Sequence, residues 1–181
     1  MKRKSLSVTK KTLNFYLTKL KDPQVRKLYS LFSNNLASMD LTNKKIMVGV
    51  SGGADSLAVL FFSQCYALKH HTKLYPVIID HKLRKESTIE AKNLKYKLKQ
   101  NFKINCKILS KKIVKINKNI QSYARDLRYD LFFEECNKQK IDYLILGHHK
   151  DDLIENFFIR FLRGSGLKGL VSFDKNVIIY N

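Results

Sequence analysis

Ser51-Gly52-Gly53-Ala54-Asp55-Ser56 stands between two apolar runs, Ile46-Met47-Val48-Gly49-Val50 before it and Leu57 to Phe62 after it. The first run is short and partly β-branched, as a buried parallel strand is. The second opens a helical pattern. Strand, glycine turn and helix in that order gather backbone N–H groups around an anion. Two adjacent glycines admit backbone angles that a Cβ forbids, and they let the main chain approach a ligand closely. The helix that follows aims its first N–H groups and its positive dipole end at the same point. No Lys-Ser/Thr pair follows the glycines, so this is not a Walker-type loop. The same residues also meet a plainer need, a turn capped by Asp55 or Ser56 at a helix start.

Outward from the loop the pattern repeats. Apolar, partly β-branched runs at 45–50, 74–79, 104–109 and 142–147 alternate with helical patterns at 55–68, 86–101 and 121–138. That series predicts an α/β fold, a doubly wound, mostly parallel sheet with helices on both faces. A last run, Val177-Ile178-Ile179-Tyr180, reads as a fifth strand. Ligands of such sheets sit beyond the C-terminal strand ends, and Ser51, Asp80 and Gly147 each directly follow an apolar strand. Upstream, Val25, Leu28, Leu31, Phe32 and Leu36 give residues 24–38 a helical spacing. Residues 1–22 read as a basic, loosely ordered arm, with one turn of helix around Leu13, Tyr16, Leu17 and Leu20. The globular domain then runs over 23–181.

A hydrophobic content of 44% over 181 residues suits one globular domain and argues against disorder. No apolar stretch approaches the length of a membrane span, so no membrane partner is expected. Asn14, Thr18 and Lys19 interrupt Leu13 to Leu20, unlike the core of a secretory signal. Cys65, Cys106 and Cys136 lack C-x-x-C spacing and read as small core residues in a reducing, cytoplasmic setting. The formal charge of +20 attracts polyanions and makes such binding salt-dependent. A lysine-heavy composition alone produces the same excess, so the charge does not define a nucleic-acid site.

Several clusters follow the loop. Asp80-His81-Lys82-Leu83-Arg84 closes the second strand, where Asp80 and His81 can hold a nucleotide's sugar or base; Asp80 can equally cap the turn into helix 86–101. In helix 121–138, Ile120, Tyr123, Ala124, Leu127 and Leu131 form one buried stripe. Arg128 lies at its border, placed to clamp a phosphate or simply to bury its stem. Gly147-His148-His149-Lys150-Asp151-Asp152-Leu153-Ile154-Glu155-Asn156 is the densest cluster. Asp152 and Glu155 face the same way at a helix start, where two carboxylates grip an ammonium group or magnesium, or form a capping box. His148 and His149 leave a strand in opposite directions, so one is a nucleotide-side group and the other structural. Arg160, Arg163 and Gly164-Ser165-Gly166 suit a phosphate or RNA backbone as well as a helix C-cap.

Taken in order, Ser51–Ser56, Asp80–Arg84, the Ala124-Arg125…Arg128-Tyr129 segment and His148–Gly166 resemble the tRNA(Ile)-lysidine synthetase family of PP-loop ATP pyrophosphatases. The H-H-x-D-D-x-x-E…R-G-S-G string is the most specific part, and the likeness covers roughly residues 44–172. The resemblance implies an ATP-dependent ligase that joins L-lysine to C2 of the wobble cytidine, C34, of an isoleucine tRNA with a CAU anticodon. It implies ATP and Mg2+ as cofactors and AMP and pyrophosphate as products. By the same resemblance Ser51, Gly52, Gly53, Ala54, Asp55, Ser56, Asp80, His81 and His148 bind ATP, with Asp55 also toward magnesium. Arg128 stabilises the α-phosphate or adenylated base, and Asp152 and Glu155 hold the lysine. Members of the family continue past the sheet into domains that grip tRNA, whereas this chain ends at Asn181 inside a strand-like run. The expectation is a catalytic domain lacking those C-terminal domains, with the basic arm as a substitute RNA contact. Oligomeric state is left open, a homodimer included. Two alternatives stand beside it: a non-catalytic basic RNA-binding fragment of the family, and a PP-loop tRNA thiolase. Thiolases usually need cysteines for sulfur transfer or an iron–sulfur cluster, which three isolated cysteines do not suggest.

Overall fold

Four strands, β1 Lys45–Gly49, β2 Lys73–Asp80, β3 Lys107–Ser110 and β4 Tyr143–Leu146, pair in parallel in the order β3-β2-β1-β4. The computed structural model describes residues 10–111 and 120–147. The expected fifth strand at 177–180 lies outside them. Five helices accompany the described strands: α1 Lys10–Lys19, α2 Pro23–Ala37, α3 Ala54–His70, α4 Ser87–Phe102 and α5 Ile120–Gln139.

The first two crossovers step outward from β1 through β2 to β3, and the third returns to the far side of β1. Right-handed crossovers then oblige α3 and α4 to share one face and α5 to take the other. The cores agree with this. Ile46, Val48 and Val50 point into one core with Leu60, Cys65 and Tyr66 of α3 and Ala91 and Leu98 of α4. Met47 and Val77 point the opposite way, against Leu109 and against Leu127, Leu131, Phe132 and Cys136 of α5. Both sheet faces are covered, which is why β1 is apolar at consecutive positions rather than alternating.

Three local outcomes differ from the sequence reading. Lys10–Lys19 is a ten-residue helix rather than a single turn. Its anchor is Tyr16, 1% exposed, whose ring packs at a tilt against Phe61 and whose hydroxyl donates to the Phe102 carbonyl. The aromatic body and polar tip of tyrosine suit that junction of α3 with the end of α4. β3 starts at Lys107 because α4 runs on to Phe102 and Lys103 reverses the chain at φ 56°, which assigns Ile104 and Cys106 to the connection. On α5 the buried line lies further along than expected, at Leu127, Leu131, Phe132, Glu135 and Cys136. Tyr123 only flanks that core and Ala124 is half-buried. Glu135 is buried because Lys107 Nζ reaches both its oxygens at 2.7 and 2.8 Å and Gln139 adds a third bond. At the other end of the chain, Asp22 caps α2 by accepting from the N–H groups of Gln24 and Val25, with Pro23 at the first helical position. Among the described residues, no helix is long and apolar enough to cross a membrane.

Candidate active site

The reversal of strand order falls between β1 and β4, the place along the C-terminal edge where sheets of this kind take their ligands. The chain reaches it after Val50, whose N–H donates to the Val77 carbonyl at 2.8 Å. Ser51 and Gly52 then turn away from the sheet, and Gly53 becomes the N-cap of α3 with no side-chain capping bond. The first N–H groups of α3 have no carbonyl of their own helix to bond, as at any helix start, and they face the loop.

Ser56 organises this turn. The residue is 4% exposed, and its Oγ accepts from the Ser51 N–H at 3.3 Å, the Gly52 N–H at 3.1 Å and the Ser51 hydroxyl at 3.1 Å. It donates to the Gly53 carbonyl at 2.9 Å. Ser51, Gly53, Ala54 and Asp55 are exposed around it.

Glycine is present here for three separable reasons. At Gly49, on β1, an added Cβ would lie 2.5 Å from Leu146 Cδ2 and 2.6 Å from Phe132 Cζ, so close packing of β4 and α5 requires it. Gly52 sits at φ 93°, a conformation that L-residues rarely adopt. Gly53 has φ −69° and ψ 160°, and a Cβ there would meet nothing nearer than Ser51 Oγ at 3.8 Å. The protein's own described atoms therefore do not require glycine at 53.

At the end of β2 the surroundings of Asp80 are those of a turn cap. Its carboxylate is 3% exposed and fully engaged within the protein: Oδ1 accepts from the Lys82 N–H and the Ser87 hydroxyl, and Oδ2 from the Thr88 hydroxyl. Burial pushes its pKa up, but the bonds from Thr88, Lys82 and Ser87 outweigh this and hold it below the usual carboxylate value. Asp80 ties the turn to the start of α4, and Lys82 takes a left-handed φ of 51° within that turn. His81, half-buried, follows Asp80 in that turn. Its Nδ1 is buried, and no described residue hydrogen-bonds to it. Burial and the nearby Arg128 charge lower its pKa, against a smaller opposing effect of Asp80. Arg128, half-buried on α5, is thus brought to the β2 end of the edge. β1 and β2 are neighbours in register, which places the glycine loop and the His81 turn along one edge. Among the described residues no three His, Cys, Asp or Glu side chains form a metal-holding group. Asp55, exposed in the first turn of α3, suits the way magnesium is commonly held, by one or two carboxylates together with phosphate oxygens. His148, Asp152, Glu155, Arg160, Arg163 and Gly164–Gly166 lie outside the described residues.

The cysteines sit away from this edge. Cys65 and Cys106 lie in one core and Cys136 in the other, all free thiols. Burial pushes the first two up to about 12 and Cys136 to about 11.

A glycine loop joining β1 to a helix at the reversal point of a parallel sheet defines an anion-binding α/β domain. The chain belongs to the PP-loop domain family, whose profile matches residues 20–180. It is similar to the tRNA(Ile)-lysidine synthase of Orientia tsutsugamushi, 44% identical over 130 residues, 72% of this chain and 29% of that protein. The corresponding protein of the Wolbachia of Brugia malayi is 37% identical over 148 residues, 81% of this chain and 34% of that one. That of Rickettsia rickettsii is 36% identical over 160 residues, 85% of this chain and 32% of that one. The chain thus spans about a third of the length of these curated relatives. Among solved structures, the U34-tRNA thiolase NcsA of Methanococcus maripaludis, with its 4Fe-4S cluster, shares the fold. Its TM-score is 0.64 at 23% identity, covering 86% of this chain and 53% of that chain.

Three features of the site escaped the sequence reading. Gly49 carried a signal, since an isolated glycine in a strand marks close backbone approach. Ser87 and Thr88 carried only the weak one of hydroxyls at a helix start. The convergence on Ser56 Oγ depends on how the loop folds back and had none.

Proposed function

We propose that this chain provides the ATP-handling and base-modifying centre of a tRNA(Ile)-lysidine-forming ligase. The observation that carries the reading is the glycine loop at the strand-order reversal, where Gly53 leaves a space that no described protein atom fills, in a chain 44% identical to a lysidine synthase. ATP lies with its phosphates against Ser51–Ser56. The C2 oxygen of C34 attacks the α-phosphorus and pyrophosphate departs, and the lysine amine then attacks C2, loses a proton and expels AMP. Backbone N–H groups of the loop offset the charge that develops on pyrophosphate. Asp55 would hold magnesium, which would add to that neutralisation. Arg128 stabilises the α-phosphate and the adenylated base. His81 meets the nucleotide through a neutral imidazole, since both burial and Arg128 disfavour its cation. Asp80 builds the turn that carries His81. His148 lies on the nucleotide side, and Asp152 and Glu155 hold lysine so that one amine is unpaired and close to C2.

The thiolase reading gains little from the shared fold. Sulfur transfer and cluster ligation use accessible thiolates that meet, and the three cysteines of this chain are buried in two cores with their thiols pushed up.

The test is to incubate the chain with ATP, magnesium, radiolabelled lysine and unmodified tRNA(Ile) bearing a CAU anticodon, then digest the RNA to nucleosides. The expected result is label in a single modified nucleoside at position 34. A folded, ATP-binding protein that leaves the RNA unlabelled overturns ligation by this chain.

A further inference from the structure

We propose that Ser56 is a positioning residue whose hydroxyl stands in for a phosphate oxygen and keeps the loop N–H groups convergent before nucleotide arrives. The inference rests on the reading of Ser51–Ser56 as the ATP site. A serine hydroxyl has one hydrogen and two lone pairs. The hydrogen is committed to the Gly53 carbonyl at 2.9 Å. That bond, back to the residue three earlier, is common for serine in the first turn of a helix. The incoming side is not common: two lone pairs face three donors, the N–H groups of Ser51 and Gly52 and the Ser51 hydroxyl, at 3.3, 3.1 and 3.1 Å. The acceptor is oversubscribed, and the bond from the Ser51 N–H is the longest. All three donors nevertheless aim at one buried oxygen, which is the arrangement a phosphate oxygen requires of them. An entering phosphate oxygen then takes over donors that Ser56 holds only partly. Ser56 itself keeps its bond to the Gly53 carbonyl, and so holds the loop to α3 throughout.

The hydroxyl is therefore needed for order in the ligand-free loop and, through that order, for affinity. The two β-branched variants Ser56→Thr and Ser56→Val share a shape and differ in the hydroxyl. Two readouts are compared: hydrogen exchange of the Gly52 amide in ligand-free protein, and calorimetric affinity for inorganic pyrophosphate with magnesium. Expected is a protected Gly52 amide and near-wild-type affinity in Ser56→Thr. Ser56→Val loses the protection, and its affinity falls about tenfold or more as preorganisation is lost. Should neither β-branched variant fold, Ser56→Ala against wild type carries the same comparison. Equal affinity with and without the hydroxyl overturns the role of Ser56. So does an amide that stays protected in the hydroxyl-free variant while affinity falls, because Ser56 is then a direct phosphate ligand. Wild-type protein that binds no pyrophosphate removes the ATP-site reading instead, and the hand-over with it.

Discussion

Alanine at Gly53 separates ligand approach from folding. The backbone at 53 is open to any residue, and the new Cβ meets only Ser51 Oγ at 3.8 Å, an ordinary contact. Restricting the unfolded chain stabilises the variant by about 0.4–1 kcal/mol. Loss of glycine's modest preference at an N-cap costs roughly 0.5 kcal/mol. The two offset, and at about 2–4 °C per kcal/mol the melting temperature stays within roughly 2 °C of wild type. Gly52→Ala differs, because forcing a Cβ to φ 93° costs about 1–3 kcal/mol, with Leu94 Cδ2 only 3.2 Å away. Gly49→Ala drives its Cβ into Leu146 and Phe132 and costs about 1–3 kcal/mol by overpacking. ATP at a hundred times its dissociation constant stabilises wild type by about 2.7 kcal/mol. That corresponds to a rise of roughly 5–10 °C in melting temperature. The assay is thermal unfolding across an ATP titration at constant magnesium. Gly53→Ala is expected to melt like wild type alone and to lose most of the ATP-induced rise. A full rise in Gly53→Ala refutes the idea that a ligand approaches the chain there. A large loss of stability without ATP refutes it too, by making Gly53 a folding residue.

Asp80→Asn removes a carboxylate that three groups of its own turn depend on, and about 1–2 kcal/mol of stability at pH 7 is expected to go with it. Because the folded pKa of Asp80 is depressed, its contribution is complete above the ordinary 3.8 and is lost as pH falls through the lower folded value. Denaturant titrations from pH 7 downward should show wild type and Asp80→Asn converging in acid, and parallel curves contradict this. Arg128→Gln is expected to move the His81 titration upward toward 6.5, read from its imidazole resonances by NMR, because the guanidinium is the second cause of the depression after burial. An unmoved midpoint separates Arg128 from the site. Tyr16→Ala should cost about 3–5 kcal/mol and Tyr16→Phe about 1–1.5 kcal/mol, the latter from the unpaired Phe102 carbonyl. Equal stability of Tyr16→Ala and wild type in urea unfolding shows that α1 is not docked.

What was legible in the sequence was local. β1, the glycine loop and α3 are contiguous, so their composition announces them, and parallel pairing follows from the alternation of elements. The two readings of Asp80 also came from local chemistry, and the three bonds from Lys82, Ser87 and Thr88 favour the cap. What depended on chain segments meeting across the fold was hidden. Leu13, Tyr16 and Leu17 look alike in a helical pattern, yet Tyr16 is buried and Leu13 and Leu17 are exposed, because only tyrosine reaches Phe61 and the Phe102 carbonyl. The buried line of α5 shifted to Phe132 and Cys136 because Gly49 leaves room for Phe132 and Met47 lies against Cys136. Glu135 reads as a surface residue until Lys107 and Gln139 are placed beside it.

The central claim is that this loop serves cleavage of ATP between its α- and β-phosphates, coupled to lysine transfer. The most direct measurement follows ATP labelled at the α-phosphate, with the protein, lysine and tRNA(Ile) bearing a CAU anticodon, by separation of the nucleotides. The account predicts labelled AMP, formed only when the RNA is present and matched by lysine joined to the RNA. Labelled ADP, or AMP formed equally without the RNA, contradicts it.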